Sequence, residues 1–184
     1  SDLTANNFDL LPIGLYYGQT GFERLNTRND WKAYPSNDWN KKQSNGADLK
    51  HADCNGDGKI DSNDTAAIHL NFSFVHTFTS IPDENFTDNP VLKFETDKSS
   101  YLAGEWINVN VMAGTSQLPV SNLYGIAFNI KYNSTLVESN TENLSYPESW
   151  FAKSGNGSLS FSNVKASVNT AFAALTRIDH STKS

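Results

Sequence analysis

Cysteine occurs once in the 184 residues, at position 54, and a single thiol excludes both a thiolate zinc cluster and a disulfide framework. No run of about 18 apolar residues exists, so no segment reads as a transmembrane helix. A basic, apolar-centred signal at the N-terminus is also absent. Positive charge is the scarcer sign, with 14 Lys and Arg against 20 Asp and Glu. The basic residues form no stripe, which argues against a nucleic-acid partner. The four histidines, His51, His69, His76 and His180, make no recognised metal pair, and no Ser/His/Asp order stands out. His69 and His76 lie close enough on a helix to share a face and read as packed or surface residues. At this length the chain can hold a small module and a domain of about 100 residues.

What is present is concentrated in residues 53–64, Asp-Cys-Asn-Gly-Asp-Gly-Lys-Ile-Asp-Ser-Asn-Asp. Oxygen-bearing side chains occupy positions 1, 3, 5, 9 and 12 of this twelve-residue loop. Calcium takes about six to eight hard oxygen ligands, and such a loop supplies them from alternate residues and the backbone carbonyl of position 7. The candidate ligands are Asp53, Asn55, Asp57, the Lys59 carbonyl, Asp61 and Asp64. Gly58 falls at position 6, where the chain turns sharply and a residue without a Cβ costs least. Ile60 is the lone apolar residue and is expected to point away from the ion into a small core.

The spacing recurs upstream in damaged form. Aligning Asp64 with Asp9, an offset of 55 residues, superimposes Asp57 on Asp2, Lys59 on Thr4, Ile60 on Ala5 and Asp61 on Asn6. Beyond the loop the register holds: Leu10 to Tyr17 matches Thr65 to Phe72, each a helix-like run carrying Ile, Leu and an aromatic. Pro12 is compatible because it sits in the first turn, where a missing N–H leaves no bond unmade. The match predicts an internal duplication. Positions 1 and 3 of that copy would precede Ser1, so the sequence is expected to be a piece of a longer protein with its first site half-formed.

The formal charge of −6 equals the six carboxylates of Asp2, Asp9, Asp53, Asp57, Asp61 and Asp64. Two bound calcium ions would bring it to about −2, so the acidity needs no cationic partner. Cys54 stands at loop position 2, which carries no ligand; it reads as a small packed thiol, or as one half of a bridge to a cysteine elsewhere.

Residues 19–50 are polar, punctuated by Gly21, Pro35 and Gly46, and sustain no helical or strand period. They read as an insertion between the two loop–helix units, anchored by Trp31, Tyr34 and Trp39. Residues 77–90, with Pro82 and Pro90, read as a linker. Beyond them the period changes to two: Leu92 and Phe94, then Ile107, Val109 and Val111, then Ile126, Phe128, Ile130 and Tyr132. Further strands are expected over 158–164 and 171–177. Short strands with turn signals between them predict an antiparallel sandwich, itself expected to be cut short.

The unit Asp-x-Asn-Gly-Asp-Gly-x-Ile-Asp-x-x-Asp with its Ile/Leu helix resembles the dockerin modules of bacterial extracellular proteins, over residues 53–76 and in part over 1–18. The resemblance implies two units packed in pseudo-twofold fashion and folded on calcium, with metal roles for Asp53, Asn55, Asp57, Lys59, Asp61 and Asp64 and, in the first copy, for Asp2, Thr4, Asn6 and Asp9. The insertion is longer than the usual dockerin spacer. Residues 91–184 resemble a cohesin-type sandwich: Tyr101-Leu102-Ala103-Gly104-Glu105 precedes the strand Trp106 to Met112, and Gly125 to Glu138 is similar to a strand ending in Tyr-Asp-x-x-Leu-Glu, with Asn133 at the Asp position. Tandem segments of this kind resemble those of large, secreted, cell-surface proteins of Bacteroidota.

The expectation is therefore an α+β chain: a dockerin-like duplicated calcium-binding module over 1–76, a linker over 77–90 and a cohesin-like all-β sandwich over 91–184. Its expected role is a calcium-stabilised structural or adhesive module, secreted or at the cell surface and not an enzyme, whose partners are calcium and a protein or neighbouring copies of a surface assembly. Two alternatives remain open at this stage: a docking module for a cohesin-like partner, and an accessory region of a polysaccharide-degrading enzyme.

Overall fold

The computed structural model describes residues 3–75, 90–138, 143–145 and 157–180. Asp2, His76 and nearly all of the expected linker lie outside them. Mixed helices and antiparallel sheets make the chain α+β. It forms two compact units, Ser1–Glu84 with Tyr124–Ser181, and Asn85–Leu123 with Thr182–Ser184.

In the first unit a turn of 3₁₀ helix, Asn7–Asp9, runs into α1, Leu10–Leu15. At the same offset of 55, a second such turn, Ser62–Asp64, runs into α2, Thr65–Leu70. Helices of six residues do not persist alone in water. Each is started by the same reciprocal cap. Asn6 Oδ1 accepts from Phe8 N at 2.8 Å while Asp9 Oδ2 accepts from Asn6 N at 2.8 Å. Asp61 Oδ1 accepts from Asn63 N and Asp64 Oδ2 from Asp61 N, also at 2.8 Å. A cap of this kind contributes about 1 kcal/mol.

The two loop–helix elements of this unit are then tied crosswise. After α1 the chain turns at Gly18 (φ 83°), whose N–H donates to Ile60 O at 2.8 Å, and Ile60 N returns a bond to Gln19 O at 2.9 Å. After α2 it turns at Ser73 (φ 71°), whose N–H donates to Ala5 O at 2.7 Å, and Ala5 N returns a bond to Phe74 O at 2.9 Å. Each helix exit thus pairs with the other element's loop, a pseudo-twofold exchange. Ala5, Leu10, Ile13, Ile60 and Ile68 are wholly buried as a result. Burying a large aliphatic side chain contributes about 1.5–3 kcal/mol, so this packing, rather than helix propensity, holds the short helices.

The third layer comes from far along the chain. Strands β3 (Gly125–Lys131), β4 (Ser158–Lys165) and β5 (Thr170–Arg177) form an antiparallel sheet in the order β3-β5-β4. Ala174 of β5 and Phe161 of β4, partners in register, join the same core as Leu10, Ile13 and Ile68. The Phe161 ring lies 4.6 Å from His69 and 5.2 Å from Phe72, so His69 is an exposed residue with one ring face against Phe161. Buried Asn7 donates through Nδ2 to Ala173 O at 2.8 Å, and the half-buried Tyr124 hydroxyl, whose pKa is pushed up to about 12 by partial burial, donates to Gly14 O. Gly14 faces Thr176 so closely that a Cβ there would overlap the Thr176 side chain.

In the second unit, β1 (Leu92–Thr96) and β2 (Val109–Ala113) form an antiparallel ribbon in which Leu92 opposes Ala113 and Phe94 opposes Val111. The expected strands are therefore present; they build one two-stranded and one three-stranded sheet, and no closed sandwich is shown among the described residues. Three of them belong to the same compact unit as the loop–helix pair. The physical reason is the Gly14–Thr176 approach, which fits the face of β5 to α1.

Gly14→Ala should lower stability by about 1–3 kcal/mol, since overpacking of a close helix–sheet contact cannot relax freely. Urea denaturation measures it, and an unchanged midpoint would mean that α1 and β5 are not in contact in solution.

Candidate metal centre

The residues over 53–64 form a tight loop whose N–H groups point inward to its own side chains. Asp53 is 5% exposed; its Oδ1 accepts from Gly56 N at 2.7 Å and its Oδ2 from Gly58 N at 3.0 Å. Asn55 Oδ1 accepts from Asp57 N at 2.9 Å, and Asp57 Oδ1 from Lys59 N at 3.0 Å. Asp64, wholly buried, closes the loop by accepting from Asn55 N at 3.0 Å and from Asp61 N at 2.8 Å. Asp61 accepts from Asn63 N and pairs with Lys59 Nζ at 3.1 Å. The apolar Ile60 points into the core, as its isolation in the loop predicts.

Gly58 has φ 81°, the left-handed turn expected at position 6. Gly56 has φ 81° as well, a second left-handed turn that the spacing alone did not single out. In the first copy the residue equivalent to Gly58 is Leu3, and it too is left-handed, at φ 66°. Its turn survives without the glycine. Thr4 is bridged to Val75 there as Lys59 is to Thr20, and Asn6 and Asp9 repeat the bonds of Asp61 and Asp64.

Electrostatics separate the carboxylates. Burial pushes the Asp64 carboxyl up to about 7, with the nearby charges of Asp53 and Asp57 adding to the effect. Burial also raises Asp53, against the N–H groups of Gly58 and Gly56 that favour its charged form. Cys54 is a free thiol packed against the core, and burial raises it well above the usual thiol range.

Among the described residues no group of three or more His, Cys, Asp or Glu side chains is drawn together as a ready-made metal cage. The oxygens of the loop are held by its own N–H groups. The donor set itself, carboxylate and amide oxygens with no nitrogen or sulfur ligand, fits a hard cation. A divalent ion among Asp53, Asp57 and Asp64 would favour the charged carboxylate against the burial, and the lesser repulsion, that raise Asp64.

The insertion anchors itself as its aromatics predict. Trp39 is buried, with Nε1 donating to Phe22 O at 3.1 Å, and Trp31 Nε1 donates to Leu3 O at 3.4 Å. Burial works against the Asp48 carboxylate, but the N–H groups of Lys50, Trp39 and Asn40 outweigh it and hold its pKa low. Sequence reading passed over Asp48, Arg24 and Asn7, none of which falls in a periodic or motif context. Compared with family models, curated proteins and solved structures, the chain has no match.

Because the folded-state pKa of Asp64 exceeds its unfolded value, the metal-free fold is favoured at low pH and loses that advantage as pH rises from about 4 through about 7. The full swing is on the order of 4 kcal/mol. Thermal unfolding in calcium-depleted buffer should show a lower midpoint at pH 8 than at pH 5, and Asp64→Asn should flatten that difference.

Proposed function

We propose that the chain is a calcium-stabilised structural or adhesive module of a large secreted or cell-surface bacterial protein, dockerin-like in its double loop–helix unit and cohesin-like in its later strands, with no catalytic role. The observation that carries this reading is the loop at 53–64. Its hard oxygen donors follow calcium spacing, Gly58 takes the left-handed turn of position 6, and its most buried carboxyl is pushed up to about 7 by burial and by neighbouring negative charge. Extracellular calcium modules work with dissociation constants of about 10⁻⁴–10⁻³ M, a range that suits a structural staple outside the cell.

A scaffold is favoured over a docking module by the position of α1. A docking module must present its helices to a partner sandwich, whereas α1 lies against β5 of its own chain, with Gly14 facing Thr176 and Tyr124 bonded to Gly14. The Gly14 face of α1 is occupied by the chain's own sheet.

Calcium at a hundred times its dissociation constant should stabilise the fold by about 2.7 kcal/mol relative to chelator. Asp57→Ala should erase most of that gain. Differential scanning calorimetry of the full chain measures both, and equal midpoints in calcium and chelator would remove the metal reading. Size-exclusion chromatography with an isolated cohesin-like domain tests the alternative, since a saturable complex would favour docking.

A further inference from the structure

The loop at 53–64 does not stand alone: the first part of the insertion runs alongside it and takes up its outward carbonyls. Thr20 is bridged to Lys59, with Gly21 N donating to Gly58 O at 2.9 Å. Arg24 N donates to Gly56 O and Arg28 N to Asn55 O, both at 2.9 Å. The Arg24 side chain reaches further, with Nη2 donating to Cys54 O at 2.9 Å. The carbonyls at loop positions 2, 3, 4 and 6 are therefore all held by residues 21–28.

A trans peptide points its C=O and N–H in opposite directions. Fixing each of these carbonyls outward turns the next N–H inward, and each of those N–H groups meets a candidate ligand. The Cys54 peptide delivers Asn55 N to Asp64, and the Asn55 peptide delivers Gly56 N to Asp53. The Gly56 peptide delivers Asp57 N to Asn55, and the Gly58 peptide delivers Lys59 N to Asp57. The bonds flanking Lys59 use Gly58 O and Ile60 N, so the ribbon does not consume the position-7 carbonyl.

Arg24 is seated for this task. Its guanidinium fills the space a Cβ on Gly56 would need, so Gly56 serves both the left-handed turn and the approach of Arg24. The guanidinium lies over the Tyr34 ring at 5.5 Å, and Tyr34 is oriented by donating its hydroxyl to Asp30, with oxygen distances of 2.9 and 2.7 Å.

We propose that residues 20–28 are a clasp that preorganises the metal loop, with Arg24 as its positioning residue. The proposal rests on the reading of 53–64 as a calcium loop and adds that the insertion sets the loop's affinity. Supporting groups just outside a metal's ligands change affinity by about 10–100-fold when removed. Arg24 also brings positive charge, which opposes a cation. That charge sits on the outer side of the loop beside an aromatic ring, and the clasp requires the peptide alignment, anchored by the side chain at Cys54 O, to outweigh it.

Two readouts on the full chain test this. In calcium-depleted buffer, hydrogen exchange at the amides of Asn55, Gly56, Asp57 and Lys59 should quicken at least about tenfold in Arg24→Met, which keeps the side-chain stem and removes the donors. Amides of β5 should be unchanged, which separates clasp release from unfolding, and Arg24→Lys should restore part of the protection. By isothermal titration with calcium chloride, Arg24→Met should weaken binding about tenfold or more. Unchanged loop exchange in Arg24→Met, or equal or tighter calcium binding, overturns the clasp. If the wild-type chain takes up no calcium, the metal reading falls separately, and the exchange result in metal-free buffer still decides the clasp.

Discussion

The crossed pairing of Ala5 with the exit of α2, and of Ile60 with the exit of α1, is the constraint on which the first unit depends. Neither six-residue helix has the length to persist by itself. Each loop–helix element buries its apolar residue only because the other element's chain closes over it. Ala5 and Ile60 occupy equivalent positions, and both are wholly buried. The arrangement also explains the left-handed turns at Gly18 and Ser73, where the chain must reverse to reach the opposite loop. At Ser73 a residue with a Cβ accepts that conformation, at a cost of about 1–2 kcal/mol that the two bonds to Ala5 offset.

Around this pair the charge is distributed unevenly. Buried Asp53 and Asp64 lie in the second loop with Asp57 beside them, and their mutual repulsion is relieved only in part by inward N–H groups. The same loop is gripped from outside by Gly21, Arg24 and Arg28. Main-chain carbonyls thus face the insertion and main-chain N–H groups face the carboxylates. A loop rich in negative charge keeps a defined backbone because its two faces are satisfied by different partners.

Local pattern carried much of this in advance. The alternate oxygens, the isolated Ile60 and Gly58 at position 6 are properties of twelve adjacent residues, and the structure has the turn and the inward Ile where the spacing predicts them. The offset of 55 reappears bond for bond in the two caps; the period-two stretches at 92, 107 and 126 hold strands, the second beginning only at Val109, and the further strands expected over 158–164 and 171–177 are present. What stayed hidden is non-local. Asn7 and Ser62 are equivalent in the duplication, yet Asn7 is buried against β3 and β5 while Ser62 is exposed. Periodicity shows that β5 has apolar positions, but it does not say whether they face a second sheet or a helix. Arg24 lies in a segment with no period, and its role follows from the carbonyls it meets.

The bonds that seat α1 on the sheet span an unusual stretch of chain. Asn7 reaches Ala173 across 166 residues, and Tyr124 reaches Gly14 across 110. Contacts of such separation are reached only after the loop-closure entropy of the intervening chain has been met, and they slow folding for that reason. The first unit is consequently a high-contact-order assembly. Asn7 and Gly14 must wait for β5, and the second unit, lying between the two halves in sequence, has the opportunity to form its own local ribbon before the first is closed.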